Sequence, residues 1–228
     1  RSRSSASAVP AATPRFTDFD VDAVVLARRL LGQRLVRIVD DVRLAGRIVE
    51  VEAYLGAPDR AAHTFGGRRT ARNASMWRGG GHAYVYFTYG MHWCMNVVAG
   101  EKGSGTAVLI RALEPEEGID AMIARGRGRK RDALCAGPAR LTQAMAIDRA
   151  LDGEDLRTSE RLFIERIRSR SMPRRSMVAT PRIGVAYAGA WAAAPLRFCV
   201  AGSPSLSRPI PRNVCCPGPM SADTLVLG

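Results

Sequence analysis

The sequence predicts a single α+β domain in which a curved, largely antiparallel β-sheet is surrounded by helices. Its 228 residues are 46% hydrophobic and 24% charged, which is the composition of a globular domain with a sizeable core. Strand and helix patterns are mixed along the chain without the regular alternation that builds a parallel sheet. No apolar run reaches the eighteen residues of a membrane span, and no internal repeat occurs.

Three segments have the pattern of helices. Asp18, Asp20 and Asp22 crowd the front of the first, residues 21–32, where apolar residues recur every three or four positions and Gly32 ends the pattern. Residues 114–128 form the second predicted helix, with Glu residues in its first turn, where the helix dipole favours negative charge. Residues 137–147 form the third, with Pro138 near its start, where the fixed φ of proline fits a helix.

Seven segments have the apolar, β-branched and aromatic content of strands. The first two are predicted to join near Asp40–Asp41, and the third and fourth near Gly90. Strands connected by such short turns pair antiparallel, which is why the sheet is expected to be largely antiparallel. The predicted strands are residues 33–39, 41–54, 82–90, 91–100, 105–115, 161–167 and 182–191.

The two ends of the chain differ from this body in composition. Residues 1–17 are rich in Ser, Ala and Arg and contain no acid, which predicts a flexible basic arm and only vaguely resembles a transit peptide. Residues 208–228 contain several Pro and Ser residues without a clear period, which predicts a loose tail. The folded domain is therefore expected to span residues 18–207.

The charge balance favours an anionic polymer as partner. Thirty-four Lys and Arg residues against 21 Asp and Glu give a net charge of +13. A field of this sign attracts nucleic acid first and an acidic membrane surface second. Only two lysines occur, Lys102 and Lys130, so the chain has few candidates for a Schiff base with a sugar or carbonyl.

The cysteines and histidines favour neither a zinc site nor a disulfide framework. The five cysteines include no CxxC pair, and the three histidines lack zinc-ligand spacing. A chain of this length also has no need of a disulfide framework to fold. We therefore expect a reducing, cytosolic compartment, no metal and no other cofactor.

Residues 60–100 form a block without any Asp or Glu, in which arginines alternate with aromatic residues. Arginines neutralise phosphates, and aromatic faces stack on bases for roughly 1–3 kcal/mol per base. Tyr84 and Tyr86 share a face of the third predicted strand, and Tyr89 lies beside Gly90, where a side chain can project as a wedge. The alternative is that these aromatic residues belong to the core.

Glu50, Glu52 and Tyr54 lie on one face of the second predicted strand. One possibility is that both glutamates face solvent and pair with arginines. The other is that one of them is a general base that activates water in a basic cleft. A glycosidase-type carboxylate dyad is also conceivable, but alternate residues of one strand are poorly placed to flank one bond.

Four blocks of the chain closely resemble the alkyladenine DNA glycosylase family, also called 3-methyladenine or N-methylpurine DNA glycosylases. The blocks are GRIVEVEAYLGAPDRAAHTFGGRRTARN, YVYFTYGMHWCMNVV, VLIRALEP and LCAGPARLTQAMAI, and the resemblance runs from roughly Phe19 to Ser207. It implies a monomeric α+β domain that flips a damaged purine out of duplex DNA and hydrolyses its N-glycosidic bond. The compartment would be the bacterial cytoplasm, or the nucleus or an organelle of a eukaryote.

The resemblance also assigns roles to the catalytic and pocket residues. Glu52 matches the general base that deprotonates the attacking water, and Arg111 matches the arginine that holds the water and the carboxylate. Tyr54, His63 and Tyr86 match the residues that sandwich and hydrogen-bond the flipped base. Alkylated and deaminated purines, namely 3-methyladenine, 7-methylguanine, hypoxanthine and ethenoadenine, are all compatible with the resemblance.

Four further positions match residues that select the base or bind DNA. Asn96 matches the asparagine at the pocket floor that disfavours the 2-amino group of guanine. Tyr89 matches the tyrosine that fills the gap in the duplex, and Arg68 and Arg140 match positions that bind the DNA backbone.

Two alternatives from other classes remain at this point. A noncatalytic nucleic-acid-binding protein, or an RNA-directed relative, would use the same groove to bind without releasing a base. A hydrolase that uses Glu50 and Glu52 on a small substrate would not need the acid-free aromatic block.

Overall fold

A computed structural model of the protein describes residues 13–211, in which eight strands form one open antiparallel sheet. The strands are β1 (Arg34–Val39), β2 (Val42–Tyr54), β3 (Ala83–Thr88), β4 (His92–Ala99), β5 (Thr106–Glu117), β6 (Leu162–Glu165), β7 (Met177–Thr180) and β8 (Arg197–Val200). The α-helices are α1 (Ala23–Leu30), α2 (Ile119–Arg125), α3 (Arg131–Leu134) and α4 (Pro138–Ala144). The expected α+β fold with a largely antiparallel sheet is confirmed.

The long strand β2 organises the sheet. One of its edges pairs with β5, and the other pairs first with β1 and then with β8. The sheet runs in the order β3-β4-β5-β2-β1-β6, and β7 joins it through β8. One face of β2 carries Val51 and Ala53 into the same apolar cluster as Leu26 and Leu30 of α1. The other face of β2 is therefore free of α1 and available for polar groups.

The first helix and the first five strands form where the sequence predicts them. Asp22 caps α1, because its carboxylate accepts hydrogen bonds from the backbone N–H groups of Val24 and Val25 at 2.7 and 3.1 Å. The turn between β1 and β2 is made by Asp40 and Asp41, whose φ angles of 50° and 60° suit a two-residue hairpin.

The helix predicted at residues 114–128 is wrong in its first part, because residues 114–117 continue β5. Glu114 lies opposite Arg47 of β2, and the two form an ion pair across the sheet. Glu117 forms a second ion pair with Arg43 of β2 at 2.8 Å. These cross-strand pairs place the acidic run in the sheet, and α2 begins only after Gly118, whose φ is 70°.

The strand predicted at residues 182–191 is also wrong. Its second half is a 3-10 helix, Ala186–Ala192, in which Gly189 has a φ of 62° that a regular strand cannot contain. The late strands β7 and β8 lie on either side of this segment and were not predicted. Neither of these four-residue segments, MVAT and RFCV, shows a clear alternation of apolar and polar residues.

Part of the predicted N-terminal arm forms backbone hydrogen bonds with the edge of the sheet. The backbone N–H of Phe16 donates to Ile164 of β6 at 2.8 Å, and Pro14 accepts from Arg166 at 2.8 Å. The Phe16 ring is 1% exposed and packs edge-on against Phe19. The remainder of the predicted arm, residues 1–12, and the tail from residue 212 lie outside the described residues.

We expect Phe16→Ala to lower the free energy of unfolding by about 3–5 kcal/mol, because it removes a buried ring from the core. Phe65→Ala is the matched control, since Phe65 is 44% exposed and its loss should cost much less. Urea unfolding followed by circular dichroism measures both. Equal effects of the two substitutions would contradict the packing of Phe16.

Candidate active site

The strand register brings residues from four strands into one row on the polar face of the sheet. Glu52 of β2 lies opposite Leu109 of β5, Leu109 lies opposite Asn96 of β4, and Asn96 lies opposite Tyr84 of β3. Directly opposed residues of antiparallel strands point to the same face. Segments far apart in the sequence therefore converge on one surface.

A cavity of about 360 Å³ lies over this face, a size typical of small-molecule sites. Six of the nine residues singled out from the sequence line it: Tyr54, His63, Tyr86, Tyr89, Asn96 and Arg111. Glu52 lies directly behind the wall, and it is covered by Tyr54, Arg111 and Ile183, which do line the cavity. Arg68 and Arg140 are exposed and lie outside the cavity.

The Glu52 carboxylate is 0% exposed and is held by three donors. Its Oε1 accepts from the backbone N–H of Ile183 at 2.7 Å. Its Oε2 accepts from the Tyr54 hydroxyl at 2.9 Å and from Nη1 of Arg111 at 3.2 Å. An ionised carboxylate can accept about four hydrogen bonds, so one acceptor position remains for a further donor such as water.

Arg111 holds two carboxylates at once, since its Nε donates to Glu50 at 2.9 Å. Glu50 also accepts from Arg197 at 2.8 Å and from both the backbone N–H and the hydroxyl of Ser207 at 2.6 Å. Burial would raise the pKa of Glu50, but these hydrogen bonds and the charge of Arg111 lower it below its usual value. Both glutamates are buried, so the alternative that they face solvent is wrong, although they do pair with an arginine.

Tyr54 remains a hydrogen-bond donor toward Glu52. Burial and the neighbouring Glu52 charge raise the pKa of the Tyr54 hydroxyl well above its ordinary value. The hydroxyl therefore keeps its proton across the physiological range, and the contact with Glu52 is a donated hydrogen bond.

The aromatic side chains form a stack beside the carboxylate. The Tyr84 and Tyr86 rings are stacked at 5.2 Å, and the His63 ring meets Tyr86 edge-on at 4.6 Å. The prediction that the two tyrosines share a face is confirmed. Tyr84 is buried and Tyr86 is half-buried, and both line the cavity.

His63 is neutral near pH 7. Burial and the nearby Arg72 and Arg68 charges lower its pKa to about 4. Its Nδ1 lies 2.8 Å from the Tyr84 hydroxyl, whose own pKa burial raises. Either the Tyr84 hydroxyl donates to Nδ1, which leaves the His63 proton on Nε2, or Nδ1–H donates to the hydroxyl oxygen.

Asn96 and Tyr89 occupy the bottom and the mouth of the cavity. Asn96 is buried, and its Nδ2 donates to the backbone oxygen of Tyr84 at 3.1 Å, which fixes the carboxamide. Tyr89 is 82% exposed in the turn between β3 and β4, where it and Gly90 have φ angles of 51° and 67°. The turn therefore projects an aromatic ring into solvent beside the cavity.

The rim of the cavity is basic. Arg68 lines a second cavity of about 310 Å³, together with Arg60 and Arg72, and this cavity shares His63 with the first. Arg140 is exposed on α4, whose first residue, Pro138, lines the main cavity. None of these arginines forms an ion pair with a described carboxylate.

Sequence reasoning missed two contributors to this site. Tyr187 is exposed and lines both cavities, but it falls in the segment wrongly predicted as a strand. Ile183 contributes a backbone N–H to Glu52, and a backbone donor leaves no side-chain signature.

In the described range, no cluster of three His, Cys, Asp or Glu side chains could hold a metal ion. Over the same residues, none of the helices is long and apolar enough to cross a bilayer.

An antiparallel α+β sheet with a buried carboxylate behind an aromatic, basic-rimmed cavity has the features of a nucleic-acid-directed hydrolase. Comparison with known proteins narrows this class to one family. The chain matches the family model Methylpurine-DNA glycosylase (MPG) over residues 17–204, and it belongs to that family. The resemblance drawn from the sequence is confirmed.

Curated relatives come from mammals and bacteria. The chain is 48% identical to the DNA-3-methyladenine glycosylase of Homo sapiens over 200 residues, 83% of this chain and 66% of the human protein. It is 47% identical to the protein of that name from Mus musculus over 199 residues, 83% of this chain and 59% of the mouse protein. It is 49% identical to a putative 3-methyladenine DNA glycosylase of Burkholderia lata over 196 residues, 86% and 91% of the two chains. This chain thus spans about three fifths to two thirds of the mammalian relatives' length.

The low pKa of His63 makes stability depend on pH. The unfolded chain protonates this histidine near pH 6.5 and the folded chain only near pH 4, so stability present above pH 6.5 is lost as the pH falls toward 4. We expect the free energy of unfolding to fall by roughly 3 kcal/mol more in the wild type than in His63→Gln between pH 7 and pH 4. Urea titrations at several pH values measure this, with the exposed His92→Gln as control. Parallel curves for the wild type and His63→Gln would refute it.

Proposed function

We propose that the protein is a monofunctional DNA glycosylase that flips alkylated or deaminated purines out of duplex DNA and hydrolyses their N-glycosidic bond. The observation that carries this proposal is the buried Glu52 carboxylate, which keeps one acceptor position free behind an aromatic cavity. Membership of the methylpurine-DNA glycosylase family and the names of the relatives support the same reaction class. The product is an abasic site in an otherwise intact strand.

A base inside a duplex cannot be attacked, so it must leave the stack at a cost of a few kcal/mol. The cavity accepts the flipped purine between Tyr54, His63 and Tyr86, whose aromatic faces favour electron-poor alkylated rings. When the Tyr84 hydroxyl donates to its Nδ1, neutral His63 supplies an N–H donor from Nε2. The fixed carboxamide of Asn96 crowds the 2-amino group of guanine and excludes that base.

Glu52 acts as the general base. It takes a proton from water as the water oxygen bonds to C1′ of the deoxyribose, and the electron pair of the C1′–N9 bond leaves with the purine. The sugar carries positive charge in the transition state, which the carboxylate stabilises. Tyr54 and Arg111 orient the carboxylate toward the cavity.

Water, and not an amine, is the nucleophile in this proposal. Lys102 and Lys130 are both exposed, and neither lines the cavity. A Schiff base with the sugar would need an amine, such as that of a lysine side chain, at the reacting carbon. The enzyme therefore releases the base without cutting the strand.

The basic rim binds the DNA backbone. Arg68 and Arg140 are exposed beside the cavity and contact phosphates, which positions the duplex but reads no sequence. The protein binds damaged duplexes as a monomer, in whichever compartment holds the DNA: the bacterial cytoplasm, a nucleus or an organelle.

We expect Tyr89→Ala to reduce the flipped population, because the exposed ring fills the gap that the flipped nucleotide leaves. The fluorescence of an ethenoadenine duplex, which changes on unstacking, measures this population in complexes with the wild type and the variant. Tyr187→Ala is the control for loss of an exposed aromatic residue elsewhere on the rim. Equal flipping by the wild type and Tyr89→Ala would remove Tyr89 from this role.

We expect Glu52→Gln to reduce single-turnover base release by about 10²–10⁴-fold, the usual effect of losing a general base. The amide keeps the shape of the side chain, so affinity for lesion duplexes should persist. Oligonucleotide duplexes that each carry one alkylated or deaminated purine, followed by alkaline cleavage of abasic sites, measure release and also rank the lesions.

Borohydride in the same reactions tests for a covalent intermediate. A trapped protein–DNA complex, or near-normal release by Glu52→Gln, would overturn the mechanism. Tight binding by the wild type without any base release would instead indicate a noncatalytic nucleic-acid-binding protein.

A further inference from the structure

A second ion pair is fully buried next to Glu52. Arg182 and Asp59 have side chains that are 0% exposed and meet through two bonds, Nη1 to Oδ2 at 2.5 Å and Nη2 to Oδ1 at 2.8 Å. Bidentate contacts of this kind fix the relative orientation of both groups. Neither residue has a part in the chemistry described above.

The pair ties together two loops that flank the site. Asp59 also accepts from the backbone N–H groups of Leu55 and Ala61 at 3.0 Å, which holds the loop between β2 and His63. Nη1 of Arg182 donates to the backbone oxygen of Ala53 at 3.0 Å, at the end of β2. The segment after β7 is thereby anchored to the strand that carries Glu52.

Arg182 also touches both groups that hold the Glu52 carboxylate from this side. Its guanidinium carbon lies 4.7 Å from the centroid of the Tyr54 ring, whose hydroxyl donates to Oε2. The next residue along the chain, Ile183, supplies the N–H that donates to Oε1. A shift of Arg182 would therefore displace both donors together.

Stability alone gives little reason for such a pair. Replacing a buried ion pair by apolar residues of similar volume is often neutral or stabilising, because burial desolvates both charges. The Nε of Arg182 is also buried without a partner among the described residues. The desolvation cost of this buried pair is explained if the pair holds neighbouring groups of the site in fixed positions.

We infer that Asp59 and Arg182 are a positioning pair that aims the Glu52 carboxylate at the water through Tyr54 and Ile183. The inference rests on the proposed function and adds two residues that never contact the substrate. A misplacement of about 1 Å far from the reacting atoms can cost about 10²-fold in rate. Loss of the pair should therefore slow the chemical step much more than it weakens lesion binding.

The test compares Arg182→Met with the wild type on a hypoxanthine duplex at saturating enzyme, where the single-turnover rate reports chemistry. We expect the rate to fall by about 10²-fold, a much larger change than the change in the Kd for the lesion duplex. Arg157→Met is the matched control, because it breaks a partly exposed ion pair with Asp20 away from the cavity and should leave the rate unchanged. All rates are measured under conditions in which circular dichroism shows that the variant is folded.

A double variant tests the inference even if Arg182→Met does not fold. Arg182→Met leaves Asp59 buried without a partner, whereas the double variant Asp59→Leu/Arg182→Met removes both charges together. The double variant should fold and show the same loss of rate. Wild-type rates in a folded single or double variant would refute the positioning pair.

The comparison of rate with affinity separates positioning from general damage. A misdirected carboxylate slows base release at saturating enzyme much more than it weakens lesion binding, because the basic rim and most of the cavity wall are unchanged. Loss of folded protein would instead lower the fraction of active molecules in both measurements.

The proposed function is tested in the same assay. If the wild type releases no base, the proposed function fails and the positioning role fails with it. If the wild type releases hypoxanthine, Glu52→Gln does not, and both Arg182 variants match the wild type, only the positioning pair is refuted.

Discussion

Two carboxylates, Glu50 and Glu52, are buried side by side on one face of β2, and a buried charge must be compensated by partners. Arg111 bonds both of them and is itself buried, so the three groups form one unit. Around this unit, β2 receives β5 along one edge and β8 along the other, and these strands supply Arg111 and Arg197. The pairing of the sheet and the neutralisation of its polar face thus depend on each other.

The arginines of the chain serve two different purposes. Several arginines on the strands remote from the cavity are paired with acids, as Arg34 is with Glu116 and Arg43 with Glu117. The exposed arginines of the basic rim, such as Arg68, have no described carboxylate partner, whereas the buried Arg111 in the cavity wall bonds Glu50 and Glu52. The uncompensated charges of Arg60, Arg68 and Arg72 therefore lie where an anionic polymer would meet the cavity mouth.

Much of this arrangement follows from the sequence. The alternation in β2 places Glu50, Glu52 and Tyr54 on one face, and the acid-free block marks the basic aromatic rim. Local patterns could not reveal the late part of the chain, because β7 and β8 have four residues each and depend on pairing with distant segments. The acidic end of β5 was mistaken for a helix start for the same reason, since its partners Arg43 and Arg47 lie some seventy residues earlier.

The bond from Ile183 to Glu52 has a consequence for how the chain can vary. The donor is a backbone N–H, which every amino acid except proline possesses. Any substitution of Ile183 except one by proline therefore preserves this hydrogen bond. Changes of the side chain at position 183 can alter the shape of the cavity wall without changing the orientation of the Glu52 carboxylate behind it. The range of ligands that the cavity accepts and the rate of the chemical step can therefore change independently.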